Sequence, residues 1–218
     1  MVMVGDVRIG DGAPVSIQSM TCTDTSDPKA TLAQIQELAD AGCEIVRIAV
    51  NDEGAVRALP TIREGSPIPL VADIHYDYRL ALVAIPYVDK LRINPGTMRK
   101  GLPEIASKVK EYGIPIRVGA NTGSLQHHSS GSEGLISDAI EQVRLLESHG
   151  VSDIVVSLKA SNVTTMIAAY TGFAREYPQY PLHLGVTEAG VGDDGIVRSA
   201  VGIGTLLAQG IGDTIRVS

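Results

Sequence analysis

Short, nearly unbroken apolar runs alternate along this chain with longer stretches whose apolar residues recur every three or four positions. Eight runs have the first character: PVSIQSM (14–20), EIVRIAV (44–50), PLVADIH (69–75), KLRINPG (90–96), PIRVGAN (115–121), DIVVSLKA (153–160), PLHLGVTEAG (181–190) and DTIRVS (213–218). Near-continuous runs, rather than strict alternation, are how strands buried on both faces of a parallel sheet read. Helices are predicted between them. The first opens at Asp27-Pro28, a cap residue followed by proline at the first helical position, carries Leu32, Ile35 and Leu38 or Ala39 as its stripe, and stops at Gly42. Others are predicted over 53–63, 78–85, 103–112, 135–149, 163–177 and 196–209, with stops at Pro86, Gly113, Gly150 and Gly210.

Strand starts lie 21 to 38 residues apart, which repeats a β–α unit about eight times. Such alternation argues for parallel strands with right-handed crossovers. Eight strands in 218 residues fit an α/β TIM (β/α)8 barrel better than a doubly wound open sheet. No glycine-rich fingerprint follows the first strand, which weighs against a dinucleotide fold. Ahead of the first strand, VMVGDVRIGDG (2–12) reads as a hairpin, so residues 1–13 are expected to plug the barrel and 14–218 to form it. The chain stops at the end of the eighth strand. The expectation is a fragment that lacks the last helix, leaving outer apolar surface for something else to cover.

Net charge is −7, with no run of Lys or Arg, so nucleic acid is a poor default partner. The two cysteines, Cys22 and Cys43, have no Cys-x-x-Cys or His/Cys company; they exclude a disulfide framework and make a poor metal site. A reducing cytoplasm fits best. No apolar stretch reads as a signal peptide or a membrane span.

Positive charge matters locally instead. Four strands carry the tripeptide apolar–Arg–apolar, at Arg47, Arg92, Arg117 and Arg216, and a fifth places Lys159 after Val156-Ser157-Leu158. Residues two or four apart in a strand share a face. Arg92 therefore joins Asn94, Arg117 joins Asn121, Lys159 joins Ser157 and Arg216 joins Ser218; Asp73 and His75 form a similar pair. Each lies late in its strand, at the end where barrel active sites are built. Five converging cations repel one another unless an anionic guest sits among them, and Arg forks favour phosphate or carboxylate. A doubly phosphorylated small molecule or a diphosphate matches the supply, with Asn94, Asn121, Ser157 and Ser218 fixing its orientation.

The plain alternative is structural pairing of each Arg with a neighbouring carboxylate. Asp73 or Glu188 suits one such pair, but two acids do not neutralise five bases. Glu188, closing the seventh strand, is an acid/base candidate. His75 is equally a core histidine held by Asp73. His127-His128, in QHHSSGSEG (126–134), read as a solvated loop or a lid, and Cys22 reads as a packing residue first.

The segments SIQSMT (16–21), VADIHYDYRLAL (71–82), LRINPG (91–96), PIRVGANTGSL (115–125), SLKAS (157–161), LHLGVTEAG (182–190) and GIGDTIRVS (210–218) stand in an order that resembles the 4-hydroxy-3-methylbut-2-enyl diphosphate synthases. The resemblance covers essentially the whole chain. It implies an oxidoreductase of isoprenoid (terpenoid) biosynthesis that opens 2-C-methyl-D-erythritol 2,4-cyclodiphosphate and removes a hydroxyl with two electrons. It implies Arg47, Arg92, Arg117, Lys159 and Arg216 as the diphosphate clamp, Asp73, His75, Asn94, Asn121 and Ser218 as its companions, and Glu188 as proton donor or base. It further implies a 4Fe–4S cluster on a C-terminal domain outside this chain, a ferredoxin or flavodoxin donor, and a homodimer whose barrels face the partner's cluster. Departures are Cys22, where the family often has a small polar residue, and the acids of VGDDG (191–195). A dihydropteroate-synthase-like transferase and a non-catalytic anion-binding barrel are the competing readings.

Overall fold

The structure, a computed structural model, describes residues 1–121 and 131–217. Four of its helices begin where side chains satisfy the free N–H groups of the first turn. Asp27 accepts from the amides of Lys29 and Ala30 at the head of α1 (Pro28–Asp40), and Asp52 from Ala55 N (2.8 Å) at α2 (Glu53–Gly65). Asp77 caps α3 (Tyr78–Ala84) and Asn162 caps α6 (Val163–Glu176) in the same way. Gly113, at φ 64°, ends α4 (Leu102–Tyr112) in the left-handed conformation that glycine adopts without strain. Two helices start earlier than the apolar pattern predicts: α5 at Gly131 (Gly131–Glu147) and α7 at Asp193 (Asp193–Leu207). Their polar first turns carry no apolar stripe, and the helix dipole welcomes Asp193 and Asp194 there.

The strands are β3 (Ser16–Met20), β4 (Ile45–Ala49), β5 (Leu70–Asp73), β6 (Lys90–Arg92), β7 (Ile116–Asn121), β8 (Ile154–Lys159), β9 (His183–Leu184) and β10 (Thr214–Ile215). All pair in parallel, in the order β8-β7-β6-β5-β4-β3-β10-β9. The ring returns on itself where Val156 N donates to Pro181 O (2.9 Å) and Val156 bridges Leu182. This is the eight-stranded parallel barrel expected from the alternation. Several strands are shorter than their apolar runs. Past Arg92 the chain turns, Asn94 O accepting from Thr97 N; past Leu184 it turns at Thr187-Glu188.

Alternate strand residues serve two cores. Outward residues such as Val46, Ile48, Leu70, Ala72, Leu91, Val118 and Leu158 pack against the helices in one continuous core. Inward Ile45 and Val71 instead join Val4 and Ile9 in a small separate cluster. Val4 and Ile9 come from the antiparallel hairpin of β1 (Val2–Val4) and β2 (Val7–Ile9). Its turn needs Gly5: φ is 57°, and a Cβ there would meet Pro69 Cγ at 2.8 Å. Val15, Ile17 and Val217 are left exposed, together with Val197 and Val201 of α7.

Because Ile9 is fully buried against barrel-interior residues, Ile9→Ala should lower unfolding free energy by about 2–5 kcal/mol, read from denaturant midpoints. A loss under about 0.5 kcal/mol, the range of an ordinary surface change, would mean that the hairpin is not a structural floor.

Candidate functional site

The inward face of the strands sets the site. Arg92 on β6 pairs in register with Asp73 on β5 and with Arg117 on β7, and Asn121 on β7 with Lys159 on β8. Two guanidiniums therefore stand side by side on adjacent strands, about 5 Å apart at the backbone. Arg47 on β4 and Arg216, just after β10, complete the circuit. All five cations border one cavity of about 420 Å³, in the usual size range of small-molecule sites.

Among the described residues, Asp73 is the one acid paired with cations of this ring, while Glu188 stands at its rim. Arg92 Nη1 donates to its Oδ1 at 3.0 Å, Arg47 Nε lies 3.6 Å from Oδ2, and His75 Nε2 is 3.4 Å from Oδ1. Burial alone would raise this carboxyl. The His75 hydrogen bond and the Arg92, Arg47 and Arg117 charges outweigh it and hold the carboxyl well below the usual carboxylate range. His75, half-exposed, also lies with Nε2 2.9 Å from Arg92 Nη1; that nitrogen donates to Asp73 when it carries the proton and accepts from Arg92 when it does not. Asp73 thus serves two arginines, one more than the sequence pattern allowed.

The other cations have no carboxylate partner among the described residues. Arg117 is 2% exposed, with Nε and Nη1 unpartnered. Arg216 Nε is unpartnered as well. Arg47 turns its fork onto Met20 Sδ (2.7 Å from Nη2), a weak acceptor. Burial, with Arg216 and Arg92 nearby and against the pull of Asp73, pushes Arg47 down to about 10, still charged at neutral pH. Arg117 and Lys159 are likewise driven well below their ordinary values, first by burial and then by the neighbouring arginines.

Two glycines make room for this crowding. A Cβ at Gly119 would lie 2.6 Å from Ser157 Oγ; one at Gly185 would lie 2.8 Å from both Lys159 Nζ and Arg216 O. Asn121, Ser157, His75 and Glu188 border the cavity, as do Thr187 and Gly119, which the sequence reading did not single out. Ser157 Oγ donates to Val118 O (3.3 Å). Glu188 is exposed at the rim in left-handed backbone (φ 52°), an uncommon conformation outside glycine. Asn94 stands apart. It accepts from Gly96 N at 3.0 Å and faces a neighbouring cleft with Arg99 and Gln142. Ser218 and the His127-His128 pair lie outside the described residues.

Beneath the ring of cations is a second polar tier that sequence reasoning missed. Lys90 and His183 are fully buried, with Gln18, Ser16 and Thr214 close to fully buried. Lys90 Nζ donates to Gln18 Oε1 at 3.2 Å, and both His183 ring nitrogens are unpartnered. The signal was available: Lys90 sits two residues before Arg92 and therefore on its face.

With this geometry in view, similarity to known proteins becomes decisive. The family model described as the GcpE TIM-barrel domain matches residues 1–218. The chain belongs to that family. It is 52% identical over 220 residues to the 4-hydroxy-3-methylbut-2-en-1-yl diphosphate synthase (flavodoxin) of Thermotoga petrophila, covering 100% of this chain and 64% of that protein. The like-named protein of Natranaerobius thermophilus is 48% identical over 226 residues, with 100% and 63% covered. The chain thus spans a little under two thirds of these relatives. Among solved structures, dihydropteroate synthase from Stenotrophomonas maltophilia matches with TM-score 0.71 at 13% identity, covering 93% of this chain and 86% of that one. A truncated 3-deoxy-D-arabino-heptulosonate 7-phosphate synthase from Thermotoga maritima matches at 0.66 and 15%, covering 99% and 78%. At such identities the likeness is of fold alone.

Among the described residues no three His, Cys, Asp or Glu side chains are grouped to hold a metal. Cys22 is exposed near the mouth, while Cys43 is buried with its Sγ 3.1 Å from Ile45 O. The acids of 191–195 open α7 and do not border the cavity.

Asp73→Asn should destabilise the GcpE barrel by about 3 kcal/mol at pH 7, because it leaves buried guanidiniums uncompensated. A depressed carboxyl contributes stability above its unfolded value and loses it as pH falls through the folded one. The gap between variant and parent should therefore narrow only below about pH 4, as denaturant unfolding at several pH values will read. Separately, Gly185→Ala should displace Lys159 and weaken anion binding by about tenfold, with the fold retained by circular dichroism.

Proposed function

We propose that this chain is the substrate-binding barrel of a 4-hydroxy-3-methylbut-2-en-1-yl diphosphate synthase, acting in isoprenoid biosynthesis by the methylerythritol phosphate route. The carrying observation is the set of buried, uncompensated cations around one cavity at the carboxyl ends of the strands. The names of relatives about 50% identical across the whole chain support the same reading. The substrate is 2-C-methyl-D-erythritol 2,4-cyclodiphosphate, whose two phosphorus centres each bring one negative charge.

In this reading Arg117, Arg216 and Lys159 take the phosphate oxygens, since no acid holds them. Arg92 and Arg47, steadied by Asp73, contribute their remaining N–H groups. Asn121, Ser157 and Thr187 orient the carbon skeleton. Glu188, at the rim, exchanges a proton with the departing hydroxyl, which leaves as water. Asn94 would act through the turn it builds rather than by touching the ligand. The 4Fe–4S cluster implied by the resemblance belongs to a part of longer family members beyond these residues; nothing assigned to these side chains runs through it. Flavodoxin as electron donor follows the relatives' names. A homodimer and a cytoplasmic location complete the proposal, and no described helix is long and apolar enough to cross a membrane.

A transferase of the dihydropteroate synthase kind shares only the fold at 13% identity, and no side chain here favours it.

Calorimetric titration with the cyclic diphosphate tests the reading. Arg117→Ala should weaken binding about tenfold to a hundredfold, the worth of one charge-assisted contact. Unchanged affinity would remove Arg117 from the clamp, and absence of binding by the parent chain would remove the reading itself.

A further inference from the structure

The barrel interior holds two kinds of cation, and only one kind readily gives up a proton. Guanidiniums stay charged in proteins, whereas a buried lysine sheds its proton with comparative ease. Lys159, at the end of β8, faces Arg117 from β7, Arg92 from β6, Arg47 from β4 and Arg216 from beyond β10. Its Nζ presses against Gly185 and has no carboxylate partner among the described residues. The two acids in reach are already spoken for or remote: Asp73 on β5 is engaged by Arg92 and Arg47, and Glu188 sits exposed at the rim. Lys90, on β6 in the tier below, faces Arg117 and Arg47. Its acceptor is a neutral amide oxygen of Gln18 on β3, and the imidazole of His183 on β9 adds no negative charge.

Resting on the clamp reading above, we propose that Lys159 and Lys90 take up protons when the diphosphate enters the barrel, so that substrate binding is coupled to protonation and weakens as pH rises. With no anion present, loss of a lysine proton is the cheapest relief of the crowding. Burial first, and then the surrounding arginines, favour the neutral amine at both positions. An entering dianion reverses that balance. Each amine gains one N–H bond, and the proton comes from solvent. The cyclic diphosphate supplies none, because its phosphorus oxygens are as acidic as those of a phosphodiester and stay ionised throughout. His183 is held low by burial and by Arg117, Lys159 and Lys90, and is expected to remain neutral.

The test is calorimetric titration of the chain with the cyclic diphosphate at pH 8, in buffers of different ionisation enthalpy. The expected heat varies with buffer and reports uptake of about one to two protons, with affinity falling up to about tenfold per pH unit for each proton. Lys159→Arg, which keeps the charge but cannot release it, should bind with about one proton fewer. Lys90→Met, or Lys90→Gln should Met prevent folding, should remove the remainder. Tight binding with buffer-independent heat overturns the coupling and leaves the clamp intact. Uptake that persists in the double variant overturns the assignment to the lysines. Absence of any binding overturns the clamp reading and the coupling with it.

Discussion

Asp73 carries more of this structure than any other single side chain. Its two oxygens meet Arg92 and Arg47, and its neighbour across the next strand pair is Arg117. Buried guanidiniums without a counter-charge cost several kcal/mol each, so a ring of them holds together only around such an anchor. One carboxylate is nonetheless too few. The deficit left at Arg117, Arg216 and Lys159 is what distinguishes the mouth of this barrel from a structural salt-bridge network.

The rest of the fold supports that deficit by keeping it away from the packing core. Outward strand residues and helices form one continuous apolar layer, while the hairpin places Val4 and Ile9 with Ile45 and Val71 in a separate cluster. The polar tiers above it, Lys90 with Gln18 and then the clamp, are thus enclosed by a wall that does not depend on their charge. Ser157 and Lys159 fill the space beside Gly119 and Gly185, where any Cβ would collide with them.

Much of this was legible in the chain. Near-continuous apolar runs at regular spacing gave the parallel barrel, and four repeats of apolar–Arg–apolar gave the arginines that line one cavity, because strand alternation fixes which face each residue takes. What period two does not encode is where a strand ends. Asn94 and Arg92 share a face only while the strand continues, and the turn closed by Thr97 N redirects Asn94 into the next cleft. Nor does spacing reveal depth. Lys90 and His183 read as ordinary strand residues, and only the assembled barrel shows both fully buried. The family resemblance reached further than pattern alone, since motif order carries family membership that alternation does not.

In the proposed reading, the charges that would select an anionic ligand also work against the empty barrel. In that reading each arginine left without a carboxylate raises the energy of the unliganded fold and would lower that of the anion complex, so the imbalance acts as stored affinity. Adding a second buried acid beside Arg117 would relieve the fold and compete with the guest for the same N–H groups. An optimum therefore lies at too few acids rather than at neutrality. Asp73 fits that optimum by sitting to one side of the ring, against β4 and β6, where it orders two arginines and leaves the β7, β8 and β10 side of the mouth positive.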